Sequence, residues 1–374
     1  MDLYKTHAVD PPEIIRERAF LLYWNQQYDD LYFPNTIVLA FFLAIGIPGN
    51  IIVIIVYQFC LHKRKGGRYF ITPLAYWDLF ALIITTALNL TRNTRQVIFP
   101  GTASCKLLLY FSYVSTFGSL FFLNVIAIQR FQKICRPFGK QMNVFWKRTA
   151  IGICVLFSLL LYIPVLFYYG VIEIRNGNLG NITGYQCDKL PGDSAQIQGL
   201  SIYQGVGFTI TICNVMTVAV LYIMITVSIV KQMKKTNKAR RPSSYPTALS
   251  DVSKDHTSFT SNSCPLESSI VSQQEPKQHK TKQKSDANKA AAFRNSLMFM
   301  TISLIAFLTY LPTWTFVVIE TNNPLFWKNL STTLFYVCLT LRRLYIFNHV
   351  ANPFIYGVFD VAFREEIKRL FCAK

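Results

Sequence analysis

The hydrophobic positions of this chain cluster into seven long apolar stretches separated by polar segments. Each stretch has about 20 residues, the length that a helix needs to cross the hydrocarbon core of a bilayer. Backbone amides in lipid find no water to bond, so such segments form helices and not open sheets. The stretches cover residues 36–56, 70–90, 107–128, 150–169, 206–230, 296–319 and 334–356. The pattern predicts an all-α membrane protein, a bundle of seven transmembrane helices.

Composition and charge agree with this prediction and add an orientation. Apolar residues make up 52% of the chain and charged residues only 15%. Much of the net charge of +19 lies between the stretches: the segments that join the first to the second and the third to the fourth carry bases and no acids, whereas residues 1–33 carry more acids than bases. By the positive-inside rule the N-terminus is extracellular and the C-terminus cytoplasmic. The basic charge is therefore a topology signal, and no nucleic-acid partner is expected.

The polar segments divide the chain further. Residues 231–295 are rich in lysine, serine, threonine and glutamine and poor in aromatics, which predicts a disordered basic cytoplasmic loop. That loop separates helices one to five (34–230) from helices six and seven (296–356), and residues 1–33 form an extracellular segment. Residues 357–374 have an apolar stripe beside basic residues, which predicts a short amphipathic eighth helix on the inner leaflet and a tail. Cys372 after it is a candidate for palmitoylation.

Two cysteines and two asparagines fall on the predicted extracellular side. Cys105 begins the third stretch and Cys187 lies in the loop before the fifth. A disulfide persists on this oxidising side, so we predict a Cys105–Cys187 bridge, with two free thiols as the alternative. Asn181 and Asn329 each begin a glycosylation sequon in an outer loop.

Short motifs recur inside the stretches in a fixed order, and together they resemble the rhodopsin-type (class A) G-protein-coupled receptors over residues 34–372. Their shared feature is a polar residue or a proline at a set place in six of the seven helices. They are Asn50, Asp78, Arg130, Tyr222, Pro312 and the closing run Asn352-Pro353-Phe354-Ile355-Tyr356. The chain is identified as a divergent, peptide-receptor-like member of this family.

The resemblance implies a plasma-membrane signalling receptor without enzymatic activity. Such a receptor binds an extracellular ligand, most simply a peptide such as a neuropeptide, and activates a heterotrimeric G protein. An arrestin and a kinase are further candidate partners beside the lipid bilayer. Arg130 and Tyr222 would serve coupling, with Tyr356 closing the seventh helix. Pro312 and Pro353 would be bends at which helices swing, because proline removes a backbone donor and clashes one turn back.

The chain also departs from the family pattern. Gln129 stands where the family usually has an acid beside the arginine, and Tyr310 stands where a tryptophan is usual. Without that acid a restraint on the resting state is absent, so we expect signalling without ligand. A constitutively active or a non-signalling receptor is thus the alternative function.

Asp78 is a carboxylate at mid-membrane depth and needs a cation or several hydrogen-bond donors. Family placement brings four other polar residues to the same depth: Asn50, Ser119, Asn348 and Asn352. We interpret the set as a sodium site, with a structural hydrogen-bond network as the alternative. No other metal or cofactor is expected, and His349 is interpreted as a packed interior residue.

Arg342 and Arg343 lie together inside the seventh stretch, where a charge is costly. Successive helical residues point about 100° apart, so one arginine can face the bundle while the other leans toward the lipid headgroups. Guanidinium suits a carboxylate or phosphate partner, and we therefore predict a ligand with an acidic group. The alternative is that both arginines snorkel and pair with Glu320 or a loop acid.

The residues at two positions disfavour two classes of ligand. Amine receptors have an aspartate where Ser112 stands, and an opsin needs a lysine where Ile346 stands, so both classes are disfavoured. The predicted ligand site comprises the two arginines with Ser112, Tyr113, Tyr310 and Glu320. A peptide is the preferred ligand, and a lipid acid or a small carboxylate stays an alternative.

Overall fold

The computed structural model describes residues 12–61, 68–177, 181–240, 275–323 and 325–372. Its helices and strands, in chain order, are α1 (Pro12–Ile55), α2 (Ile71–Thr94), α3 (Thr102–Cys135), α4 (Val144–Leu161), α5 (Val165–Tyr168), β1 (Tyr169–Asn176), β2 (Ile182–Lys189), α6 (Ser194–Arg240), α7 (Glu275–Asn322), α8 (Thr332–Arg342), α9 (Asn348–Phe359) and α10 (Val361–Cys372). A π-helical turn over Val56–Cys60 follows α1, and short 3-10 helices span Phe326–Asn329 and Leu344–Phe347.

Helices occupy most of each predicted apolar stretch, with interruptions after Leu161 in the fourth and after Arg342 in the seventh. Six helical segments of the described chain are long and apolar enough to cross a membrane by length and composition. They correspond to stretches one to six, with the short α5 continuing the fourth. Their outward faces expose large apolar side chains, such as Phe157 on α4 and Ile223 on α6. Such faces suit contact with lipid, whereas a water-soluble bundle would cover them.

The seventh stretch is broken at the arginine pair. α8 ends at Arg342, a 3-10 helix follows, and α9 begins at Asn348. The Thr313 hydroxyl of α7 donates to the carbonyl of Arg342 at 2.9 Å, and the Ile346 amide donates to the carbonyl of Arg343 at 3.2 Å. In a continuous α-helix the Ile346 amide would donate to the Arg342 carbonyl. Here Ile346 donates to Arg343 instead, and the Arg342 carbonyl accepts from Thr313, so both changes accompany the break.

A β-hairpin covers one end of the bundle, which is called the hairpin end below. β1 pairs antiparallel with β2, and Val171 lies opposite Cys187. Cys105 at the start of α3 forms a disulfide with Cys187, which confirms the predicted bridge. The Phe99 amide donates to the Tyr185 carbonyl at 3.0 Å, which attaches the segment between α2 and α3 to the same hairpin. The strands were not predicted from the sequence.

Two segments that were predicted to lie outside the spans contain helix in the structure. α1 begins at Pro12, within the segment 1–33 that was predicted to precede the first helix. α6 continues to Arg240 and α7 begins at Glu275, so helix occupies both ends of the segment 231–295 that was predicted to be disordered. Lysine, glutamine and alanine are good helix formers, which explains why polar composition did not end these helices. Residues 241–274 of that loop lie outside the described chain.

Candidate functional site

Two adjoining cavities open at the hairpin end. The aromatic cavity, of about 380 Å³, contains all three of the predicted uncharged ligand residues, Ser112, Tyr113 and Tyr310, and is lined further by Tyr162 and Trp314. The polar cavity, of about 400 Å³, lies against β2 and the ends of α2, α7 and α8. Arg92, Tyr113 and Arg342 line both.

Charged side chains concentrate in the polar cavity, where the cations outnumber the acids. The lining includes four bases and two acids: Arg92, Lys189, Arg342, Arg343, Asp188 and Glu320. The aromatic cavity has Arg92 and Arg342 in its lining and no acid among the described residues. Both cavities therefore carry an excess of positive charge.

Arg342 faces the cavities and is bonded to Glu320 of α7. Its Nη2 donates to Glu320 Oε2 at 2.8 Å, and its Nε donates to Oε1, so the guanidinium grips the carboxylate with two bonds. Trp327 Nε1 donates to the same Oε1 at 2.8 Å. The predicted alternative of a pair with Glu320 thus holds for Arg342.

Arg343 points away from Arg342 into a buried space between α1, α2 and α8, and is only 7% exposed. Its Nη1 donates to Asn93 Oδ1 at 2.6 Å and also to Asn35 Oδ1, and its guanidinium lies 5.9 Å from the centre of the Tyr32 ring. No carboxylate pairs with it within the described part of the chain. The charge of Arg342 is therefore neutralised by a carboxylate, whereas Arg343 donates to neutral amide oxygens.

The predicted sodium residues do meet in one buried cluster. Asn352 Nδ2 donates to Asp78 Oδ2 at 2.6 Å, and Asn348 Nδ2 donates to Ser119 Oγ at 3.4 Å. Asn50 Nδ2 donates to the His349 carbonyl at 2.9 Å. His349 itself, interpreted from the sequence as a packed interior residue, contacts the second Asp78 oxygen, with its Nδ1 2.9 Å from Oδ1.

The predicted coupling residues gather at the other end of the bundle, which is called the Arg130 end. Arg130 is buried and its guanidinium lies over the Phe299 ring of α7, 4.3 Å from its centre. Tyr222 is buried on α6, and Ser303 Oγ lies 3.4 Å from its hydroxyl. Gln129 is buried too, and neither polar atom of its side chain has a hydrogen-bond partner among the described residues.

The two prolines and the last tyrosine of the predicted set lie in helices six and seven of the bundle. Pro312 is inside α7 and Pro353 inside α9, so each stands within a helix as expected. Tyr356 is fully buried and packs edge-on against Tyr57 and Phe363, with ring centres 5.8 and 6.2 Å away.

A further ion pair at the Arg130 end was missed by sequence reasoning. Asp360, between α9 and α10, is 1% exposed and accepts two bonds from Arg68, from Nε at 2.6 Å and Nη2 at 2.7 Å. The Tyr57 hydroxyl donates to Asp360 at 2.8 Å. The pair joins the start of α10 to the segment before α2. Asp360 stands alone in the sequence, so no spacing pattern pointed to its partners.

The predicted modification sites remain predictions. Asn181 and Asn329 are both exposed; Asn181 directly precedes β2, and Asn329 ends a 3-10 helix. Asn181 has a positive φ of 63°, a conformation that asparagine tolerates better than most residues. Cys372 is the last residue of α10.

Comparison with known proteins finds a matching family and several relatives of this chain. The family model described as 7 transmembrane receptor (rhodopsin family) matches residues 49–356. A purinoceptor of Homo sapiens is 32% identical over 149 residues, 39% of this chain and 39% of that protein. Bombesin receptor subtype-3 of Ovis aries is 25% identical over 164 residues, 43% of this chain and 41% of that protein. The chain thus spans about two fifths of the length of these relatives.

The solved structure of squid rhodopsin has the same fold. It superposes with a TM-score of 0.63 and 20% sequence identity, over 92% of this chain and 81% of that one. At this identity the likeness concerns the fold alone. It confirms the predicted seven-helix class with a helix after the seventh span.

Proposed function

Because the chain belongs to the rhodopsin family of seven-transmembrane receptors, we propose that it binds an extracellular ligand with an acidic group and activates a heterotrimeric G protein. The ligand enters from the hairpin end, and its acid binds in the polar cavity. A peptide that presents a carboxylate is the preferred ligand class. The hairpin end is then extracellular, as the basic, acid-free segments near the Arg130 end favour.

The observation that carries this proposal is the position of Arg343. A buried charge without an opposite charge is unfavourable, and amide oxygens offset only part of the lost hydration. Arg343 nevertheless borders the polar cavity with neutral partners, Asn35, Asn93 and the Tyr32 ring. A ligand carboxylate in that cavity would supply the missing negative charge.

Arg342 has a different part in the proposal. Glu320 already neutralises it, so it adds no net charge while that pair is formed. Removal of the Glu320 charge would release a second guanidinium toward the ligand. Glu320 therefore competes with the acidic group, and the affinity depends on both arginines and on Glu320.

The relatives favour a ligand-binding receptor without selecting one ligand class. One is by its name a purinoceptor and the other a bombesin receptor. The aromatic cavity beside Arg342 offers Tyr113, Tyr162 and Trp314 to an apolar or aromatic part of the ligand. A ligand with an acid and an aromatic group would use both cavities.

Coupling at the Arg130 end is supported by the residues that the chain shares with the family pattern. Arg130, Tyr222 and Tyr356 are all present and all buried, on α3, α6 and α9. An outward movement of α7 would uncover Arg130, whose guanidinium now lies over Phe299 of that helix.

The test is a second-messenger assay in cells that express the chain, challenged with peptides, lipid acids and small carboxylates. Each active acid is compared with its uncharged amide. Arg343→Gln should lower the potency of the acid by about tenfold or more, since a hydrogen bond to a charged group is worth about 1.5 to 3 kcal/mol. Arg342→Gln should cost less, and Glu320→Gln should raise the potency.

Arg95→Gln is the matched control, because it removes the same charge from an exposed residue that lines neither cavity. It should leave the potency unchanged. Cell-surface amounts are measured for every variant. If both cavity arginine variants reach the surface normally and respond to the acid as the unmodified chain does, the proposed ligand chemistry is wrong.

A further inference from the structure

The buried cluster around Asp78 is built from nitrogen donors. Asp78 is 0% exposed, and each of its two oxygens faces a side-chain nitrogen, His349 Nδ1 at 2.9 Å and Asn352 Nδ2 at 2.6 Å. When Asp78 is ionised, its carboxylate only accepts hydrogen bonds, and the imidazole Nδ1 must then carry the hydrogen in this contact. Asp78 is therefore satisfied by two residues of its own chain.

This geometry does not fit a sodium ion. Hard cations are held by several oxygen ligands together, and a carboxylate alone does not complete such a set. Both Asp78 oxygens already face nitrogens, and the nearby Ser119 hydroxyl oxygen faces Asn348 Nδ2. The side-chain atoms that face Asp78 are therefore nitrogens, where the sodium interpretation needs further oxygen ligands.

We propose that the His349 imidazole occupies the position at which a cation would otherwise bind Asp78. The contact between α2 and α9 at Asp78 then forms without sodium. The His349 side chain fills the space and supplies the hydrogen, and Asn50 holds its backbone by donating to the His349 carbonyl at 2.9 Å. The contact joins α2 to α9, directly after the broken part of the seventh span. It needs neither the ligand nor the G protein of the proposed function.

Removal of the imidazole has a defined consequence. In His349→Ser the Asp78 carboxylate loses one partner and gains an adjacent space with a hydroxyl oxygen beside it. A buried carboxylate with an open oxygen attracts a cation, so this variant should acquire the sodium dependence that the unmodified chain lacks. His349→Asn is the matched variant, because its amide nitrogen can replace Nδ1 as the donor.

The experiment compares thermal unfolding of the purified full chain in sodium chloride and in N-methyl-D-glucamine chloride at equal ionic strength. The unfolding temperature of the unmodified chain and of His349→Asn should be the same in both salts. His349→Ser should unfold several degrees lower without sodium and recover saturably as sodium is added, as expected for a ligand of the native state alone. Asp78→Asn combined with His349→Ser should abolish that recovery.

Two results would overturn the proposal. One is a saturable stabilisation of the unmodified chain by sodium, which needs no variant to be measured. The other is a folded His349→Ser that shows no response to sodium. If His349→Ser fails to fold, the unmodified chain decides the matter: a sodium response contradicts the imidazole's role, and the absence of one supports it.

Discussion

Gly118 of α3 allows α2 to approach closely, and its replacement by alanine gives a sharp test of the packing. A Cβ at this position would lie 2.1 Å from Trp77 Cζ2 and 2.7 Å from Cε2 of α2. The indole is held in place because its Nε1 donates to the Ser115 carbonyl at 2.7 Å, and its ring packs 5.3 Å from that of Phe122. Even one methyl group must therefore displace the indole.

The expected cost follows from these contacts. Overpacking of a filled interior costs about 1 to 3 kcal/mol, and loss of the indole hydrogen bond adds about 1 kcal/mol. Alanine in a helix offsets about 1 kcal/mol of this, because glycine has the poorer helix propensity. Gly118→Ala should thus destabilise the chain by about 2 kcal/mol.

The assay is the unfolding temperature of the purified chain. One fixed scan rate is used, because the apparent unfolding temperature depends on the scan rate when unfolding is irreversible. Gly152→Ala on α4 is the control, because its Cβ would meet no atom within 4 Å. It should be neutral or stabilising, and Gly118→Ala should unfold at a lower temperature. A Trp77→Ala background should reduce the effect of Gly118→Ala. Equal temperatures for the two glycine variants would refute the close approach of α2 and α3.

Two predictions concern the Arg130 end. Asp360→Asn should lower the free energy of unfolding by about 2 kcal/mol, because it leaves Arg68 without its charged acceptor. Glu366→Gln should change it little, because the partner of Glu366, Arg369, is 68% exposed; chemical denaturation with both variants measures this, and equal stabilities would contradict it. Gln129→Asp should lower signalling without ligand, because a carboxylate beside Arg130 restrains it; second-messenger levels at matched surface expression measure this, and unchanged levels would remove the argument from Gln129.

The seven spans could be predicted because lipid imposes a simple rule on length and hydrophobicity. The disulfide was predictable for a related reason, since Cys105 and Cys187 were assigned to the same side of the membrane. The hairpin of β1 and β2 was not predictable in this way, because it lies outside the lipid and its eight-residue strands mix glycine, charged and apolar residues. Helix ends were also missed, because polar helix formers continue a helix past the apolar core.

The directions and partners of the arginine pair could be predicted only in part from the sequence. The sequence predicted that Arg342 and Arg343 point in different directions, which is confirmed. It also predicted that one of them leans toward the lipid headgroups, which is wrong, because Arg342 lines the cavities and Arg343 is buried between helices. The sequence offered Glu320 as a partner but could not assign the partners of Arg343, because Asn35 and Asn93 are 308 and 250 residues away from it in the chain. The contact of His349 was missed for the same reason: the residue becomes distinctive only when α9 brings it to Asp78, 271 residues earlier.

The break in the seventh span separates two attachments to α2. On the N-terminal side of the break, Arg343 donates a hydrogen bond to Asn93. On the C-terminal side, His349 and Asn352 contact Asp78. Between them lies the 3-10 helix Leu344–Phe347, whose hydrogen bonds have poorer geometry than those of an α-helix. A ligand that changed the partners of Arg343, as proposed above, would act on the end of α8, directly before this 3-10 helix. The attachment at Asp78 stays with α9, so the two halves of the span need not move as one rigid helix.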